Sequence, residues 1–220
     1  PAPPVPVGAF SQASPGGLPS GWEPLQFGDT RPSSYRLVHE GGVTVVRAEA
    51  DGSASGLVRR IDIDPTRFPV LRWRWKVEGV VPGGSYTRRD GDDYAARVYV
   101  IFDYPVSALS FGDRLKYRAL QALGYRDLPT RALNYVWANQ PSARATRPNA
   151  YTDWVQMVPV ERGSRHAGTW RDARRNVAED YRAAFGEEPP PIAGIAIMTD
   201  ADNTGARAVA YYGDLSMTEE

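Results

Sequence analysis

The sequence predicts an all-β-dominated domain, an antiparallel β-sandwich of jelly-roll type with two inserted α-helices at about 111–123 and 170–185. Three observations predict it. Short runs rich in Val, Ile, Tyr and Trp recur along the chain, each bounded by Gly, Pro, Asp or Ser. The run Leu71-Arg72-Trp73-Arg74-Trp75-Lys76-Val77 alternates apolar and cationic residues with the period of two that a half-buried strand requires. Two stretches break this rhythm with helical spacing and end at Gly124 and Gly186.

Strands are expected over Val5–Phe10, Tyr35–His39, Val43–Ala50, Gly56–Ile63, Val70–Val77 and Tyr94–Asp103, with hairpin turns at Glu40-Gly41-Gly42 and Asp51-Gly52. Burying three cations would cost several kcal/mol each. In the Val70–Val77 strand the indoles therefore point inward, and the face carrying Arg72, Arg74 and Lys76 points outward. Ser110 caps the first helix, with Asp113 at the capping-box position and Leu115, Ala119, Ala122 and Leu123 along one apolar side. Leu133–Ala138 and Trp154–Val160 add strands, with an irregular loop at Pro141–Asn149. The second helix starts from a Thr169 cap with Asp172 at its third position, and its apolar residues are Trp170, Ala173, Val177, Tyr181 and Ala184. Ala193–Thr199 and Ala206–Gly213 form a closing hairpin around Asp200-Ala201-Asp202-Asn203-Thr204-Gly205.

At 220 residues the chain is long for an average domain but ordinary for one sandwich. A single domain over 1–220 is expected, with residues 1–20 a loosely attached N-terminal segment. The 26 basic residues balance 26 acidic ones, which argues against electrostatic capture of nucleic acid. No apolar run approaches the roughly 20 residues that span a bilayer, so no membrane insertion is expected. With no Cys, thiol nucleophiles, disulfides and cysteine-held metals are excluded. The start Pro1-Ala2-Pro3-Pro4, without Met, is the kind of remnant left after a signal peptide, and predicts a periplasmic or secreted protein.

Signatures of familiar catalysis are missing. His39 and His166 are the only histidines, and no Gly-x-Ser-x-Gly elbow, phosphate loop or dinucleotide fingerprint occurs. The 200–205 segment has oxygen-bearing residues at the spacing of a calcium loop, yet Tyr211 falls where an EF-hand needs Glu. It is either an Asx-rich loop satisfying its own backbone or a structural calcium site of another kind, using Asp200, Asp202 and Asn203. In Gly91-Asp92-Asp93-Tyr94 two adjacent carboxylates repel by about 4 kcal/mol at about 4 Å in an intermediate dielectric, so Arg or a metal should lie close. Arg72, Arg74 and Arg97 are the candidate partners. Trp137 is either a stacking platform for a sugar or part of the core.

The segments Trp73-Arg74-Trp75-Lys76-Val77, Gly91-Asp92-Asp93-Tyr94 through Arg97-Val98-Tyr99, Leu133 to Trp137, Met198 to Gly205 and Tyr212-Gly213-Asp214 resemble a family of bacterial exported proteins known only as a domain of unknown function, DUF3047. The likeness spans roughly residues 57–215 and implies no activity. The last two strands with their Asp-Asn-Gly loop also look like the end of galactose-binding-like jelly rolls. That resemblance implies carbohydrate binding and structural calcium at the level of fold analogy alone.

Three functions are therefore weighed. The first is an exported module that binds a glycan or other polar small molecule through Arg72, Arg74, Asp92, Asp93, Arg97, Tyr99, Asn134 and Trp137. The second is a hydrolase or lyase acting on a glycan, with two acids from Asp92, Asp93, Asp103, Asp200 and Asp202 about 5 to 9.5 Å apart in one cleft. The third is a cell-envelope protein that docks a partner through an exposed apolar patch.

Overall fold

The computed structural model describes residues 2–123 and 128–220. In chain order its elements are β1 (Val5–Gly8), β2 (Glu23–Leu25), β3 (Ser34–Glu40), β4 (Val43–Asp51), β5 (Ala54–Ile63), β6 (Val70–Val77) and β7 (Arg97–Phe102). They continue with α1 (Phe111–Ala122), β8 (Ala132–Ala138), β9 (Arg147–Pro148), β10 (Val155–Arg162), β11 (Arg171–Asn176), α2 (Val177–Phe185), β12 (Ile192–Asp200) and β13 (Arg207–Thr218).

Two sheets face one another. One runs β11-β6-β13-β4-β3, with β1 also paired to β13, and the other runs β2-β5-β12-β7-β8-β10-β9. Among the described residues the pairings are antiparallel except β8 with β10, which is parallel. The predicted antiparallel sandwich therefore holds apart from that pair. The periodicity of β6 reads correctly: Leu71, Trp73, Trp75 and Val77 are buried, while Arg72 is exposed.

Aromatic rings hold the two layers together. Trp73 stacks on Tyr135 with ring centroids 5.4 Å apart, and Trp75 meets Trp137 at 5.8 Å. Such pairs add about 0.5–1.5 kcal/mol each beyond the area they bury. Trp137 is a core residue whose indole donates to the Gly163 carbonyl at 3.0 Å, so it is no stacking platform for ligand.

Several expectations need correction. Residues 5–10 are not loosely attached: β1 pairs with β13, and Val7 and Phe10 lie in the core. β12 and β13 are not a hairpin, because they belong to different sheets and the 201–206 loop crosses between them. Residues 171–176 form strand β11 on the edge of β6. Helix α2 starts later, and its cap is Asn176, whose side chain accepts from the Glu179 amide at 3.1 Å, not Thr169. Here sheet pairing overrides a helical pattern of sequence. Gly186 ends α2 as expected, in the left-handed conformation with φ 73°.

Ser110 caps α1 and accepts from the Asp113 amide at 3.1 Å, as the sequence predicts. Gly124, the expected stop, lies outside the described residues. The apolar stripe of α1 is turned the other way, with Phe111 77%, Leu115 63% and Leu123 71% exposed, while Tyr117 is the buried contact. Tyr117 packs on Trp154 with ring centroids 5.8 Å apart, which fastens α1 over the outer face of the second sheet. No helix among the described residues is long and apolar enough to cross a membrane.

Candidate functional site

The outer face of the β2-to-β9 sheet holds a cavity of about 470 Å³. Its floor comes from β7 and β12. Alternation on β7 turns Val98, Val100 and Phe102 into the core and sends Arg97, Tyr99 and Ile101 outward. In β12 the same parity buries Ile195 and Ile197 and leaves Met198 and Asp200 on the outer face. Leu25 and Phe27 wall one side. Leu120 of α1 and the 149–154 loop close the other.

At the polar end, Arg97 and Asp200 form a buried pair with side chains 3% and 2% exposed. Arg97 Nε donates to Asp200 Oδ1 at 2.8 Å, and a second guanidinium nitrogen donates to Asp200 Oδ2. The same guanidinium donates to the Asp92 carbonyl, lies 3.6 Å from Asp92 Oδ1 and rests over the Tyr94 ring at 4.3 Å. Bidentate Arg–carboxylate pairing of this kind is strong and geometrically specific. Arg97 Nη1 has the loosest partner, the Tyr99 hydroxyl at 3.3 Å, and is the donor a ligand oxygen can compete for.

Asp92 also accepts from Asn149 Nδ2 at 3.0 Å. Asp93 accepts the backbone N–H groups of Asn203 and Thr204 at 3.1 and 2.6 Å, fixing the 200–205 loop against the 91–94 segment. Asn203 Nδ2 donates to the Tyr151 hydroxyl at 3.1 Å, and that hydroxyl donates to the Arg89 carbonyl at 3.1 Å. The rim is thus cross-braced.

Burial pushes the Asp200 carboxyl up to about 7 against the pull of Arg97. Burial likewise raises Asp92 and Asp202, with Arg97 opposing at both and Asp93 adding to the rise. Burial works against the Arg97 charge too, but Asp200, Tyr99 and Asp92 more than restore it, so this guanidinium keeps its proton. Burial lifts the Tyr99 hydroxyl to about 12, and it remains a neutral hydrogen-bonding group.

Asp92, Arg97, Tyr99, Asp200, Asp202 and Asn203, all singled out by sequence, meet around this cavity. Asn134 is buried beside Tyr99 in the β7·β8 register, and its Oδ1 has no partner. Arg72 and Arg74 are elsewhere, on the outer face of the opposite sheet, so they are not counter-charges for Asp92 or Asp93. Sequence reasoning missed Phe27, Leu120, Asn149, Tyr151 and Trp154. Trp154 carried a signal, an indole at a strand start amid polar residues, whereas nothing in the sequence ties Phe27 to this wall.

The acids suit paired-carboxylate chemistry poorly. Asp200 is held by Arg97, Asp92 by Arg97 and Asn149, and Asp93 by two backbone donors. Asp103 follows the last residue of β7, at the opposite end of that strand from Arg97. For a cation the arrangement is better, because Asp93, Asp200 and Asp202 present oxygens within 4.8 Å of one another. Carboxylate oxygens carry further lone pairs beyond those their N–H partners use.

Fold and site together define a two-layer β-sandwich with a roofed lateral cleft. The chain belongs to the family described as "Protein of unknown function (DUF3047)", whose model matches residues 20–216. No curated protein matches it. Among solved structures it is similar to the K2 cleaved adhesin domain of Lys-gingipain, at 12% identity and TM-score 0.46, covering 98% of this chain and 99% of that one. It is also similar to a family 29 carbohydrate-binding module, at 14% identity and TM-score 0.40, covering 99% and 90%. The glycoside hydrolase domain of Endo-D from Streptococcus pneumoniae R6 matches at 11% identity and TM-score 0.38, over 90% of this chain and 22% of that one. At these levels the likenesses carry no functional argument.

Proposed function

We propose that the protein is a ligand-binding module that takes a saccharide, or a ligand of similar polarity, into the cleft on the β7·β12 face. One observation carries this reading: a cavity of about 470 Å³ with largely apolar walls converges on a few fixed polar groups, Arg97, Tyr99, Asp92 and Asn149. Small-ligand sites have this size and make-up. Arg97 Nη1 and the Tyr99 hydroxyl would orient sugar hydroxyls, and Phe27 and Tyr151 would offer ring faces. Glycan arrays followed by calorimetry test it. We expect a hit whose affinity falls about tenfold or more in Tyr99→Phe or Tyr151→Ala. Uniformly absent binding to envelope glycans overturns it.

A structural calcium ion on Asp93, Asp200 and Asp202 belongs to the same proposal. What supports it is charge: Asp93, Asp200 and Asp202 lie together, and Arg97 already answers to both Asp92 and Asp200. A periplasmic or secreted location rests on the resemblance to exported proteins, and fractionation of cells making the full-length gene product tests it.

The exposed Phe111, Leu115 and Leu123 stripe of α1 favours a second reading, a docking face for another envelope protein. A photo-crosslinker at position 115 that captures no partner in the native cell counts against it.

A further inference from the structure

The opposite sheet carries a second concavity, a groove of about 340 Å³ running over β11, β6 and β13. It is lined by Arg72 and Arg74 from β6, Asp172 and Arg174 from β11, and Asp214 and Ser216 from β13. Arg174 lies directly opposite Arg72 in the β11·β6 register. Like charges placed so in a sheet are destabilising unless something neutralises them. Other cations of these two strands have acids: Lys76 pairs with Glu40, Arg171 with Glu161 and Arg175 with Asp180. Among the described residues, Arg72 and Arg174 are in no such pair, whereas Arg74 lies directly opposite Asp172 in the same register and near Glu40, with no direct ion pair to either. Arg72 donates only to the Thr218 hydroxyl at 3.4 Å and the backbone oxygen of Glu220 at 2.9 Å.

Arg74 is held in place and left a donor short. Its stem crosses β13 at Gly213, where a Cβ would come within 2.3 Å of Arg74 Cγ, so only glycine leaves that path open. Its guanidinium sits 4.2 Å from the centre of the Trp170 ring. Its Nε is buried and has no acceptor. A nitrogen with no exposed surface is out of a ligand's reach, so what Arg74 offers the groove is its charge.

We propose that this groove binds an acidic saccharide, its carboxylate or sulfate resting among Arg72, Arg74 and Arg174 and its hydroxyls donating to Asp172. The oxyanion neutralises the opposed Arg72–Arg174 pair and meets the charge of Arg74 beside it. Asp214 already accepts from Ser11; Asp172, exposed in the groove, is an acceptor that hydroxyl groups can satisfy and a bare inorganic anion cannot. The site is independent of the cleft, on the other side of the sandwich.

Calorimetry on the full chain at low salt, with trigalacturonate, a sulfated chondroitin tetrasaccharide, a neutral cello-oligosaccharide and inorganic sulfate, tests this. At least one acidic saccharide should bind, more weakly as salt rises, with the two acidic probes separating carboxylate from sulfate. Arg72→Ala/Arg174→Ala, both exposed positions, should reduce that affinity about tenfold or more. Tyr151→Ala in the cleft should leave it unchanged. In the wild-type protein the Arg72 and Arg174 side-chain N–H resonances should move on titration, a readout that needs no variant. No binding by either acidic saccharide, an unaffected double variant, or sulfate binding as tightly as the saccharides would overturn the proposal. Loss of neutral-glycan binding in Tyr151→Ala with acidic-saccharide binding retained would separate this site from the cleft.

Discussion

Arg97 and Asp200 meet on neighbouring strands, with Nε donating to Oδ1 at 2.8 Å and both side chains almost wholly buried, although 103 residues separate them in the chain. Removing one member leaves a buried charge without its partner, which costs about 3–5 kcal/mol. Arg97→Met and Asp200→Asn should each destabilise on that scale, and the double variant should lose less than the sum. Urea unfolding across the four proteins measures the coupling, and strict additivity would contradict it.

Two glycines should respond in opposite directions to alanine. A Cβ at Gly56 would come within 2.8 Å of the Ile197 carbonyl in the β5·β12 ladder, where backbone cannot yield, so Gly56→Ala should destabilise by about 1–3 kcal/mol. Gly112, exposed in the first turn of α1, has nothing within 4 Å of the added Cβ. Gly112→Ala should stabilise by up to about 1 kcal/mol. Thermal melts of both variants suffice.

The start of α2 provides a third check. Asn176→Ala removes the observed cap and should cost about 1 kcal/mol, whereas Thr169→Ala should stay within about 0.5 kcal/mol of wild type. Equal losses at both positions would mean that the helix begins where its sequence periodicity alone suggests.

The pH dependence has a definite sign. Hydrogen bonds from Arg47, then Arg207, hold the Glu49 carboxyl below its ordinary 4.5. A lowered acid stabilises the fold above its unfolded value and loses that contribution as pH falls through the folded value. Wild type should therefore melt above Glu49→Gln at neutral pH, with the gap closing as pH drops below about 4.5. A gap that persists into strong acid would contradict the assignment.

Calcium addition should raise the melting temperature and a chelator should lower it, with Asp202→Asn abolishing the response. Asp202 is the choice because it is the exposed one of the three, whereas Asp200 is in the Arg97 pair and Asp93 holds the Asn203 and Thr204 amides. A melting temperature indifferent to calcium would remove the ion from the proposal.

Local chemistry determined much of this protein. The inward indoles of β6, the outward parity of Arg97 and Tyr99 and the Ser110 cap follow from a period of two or from a side chain reaching its own backbone. Each is set within a few residues, so sequence suffices. Tertiary structure decided the rest. Whether Arg97 or Arg72 met the carboxylates of Asp92 and Asp200 depended on which strands paired, and β7 joined β12 while β6 joined β13 in the other layer. The 171–176 segment became a strand because an open β6 edge offered it hydrogen bonds, and the α1 stripe faces outward because Tyr117 found Trp154. Parity belongs to a single strand, whereas partnership is settled by contacts between distant parts of the chain and leaves no local mark.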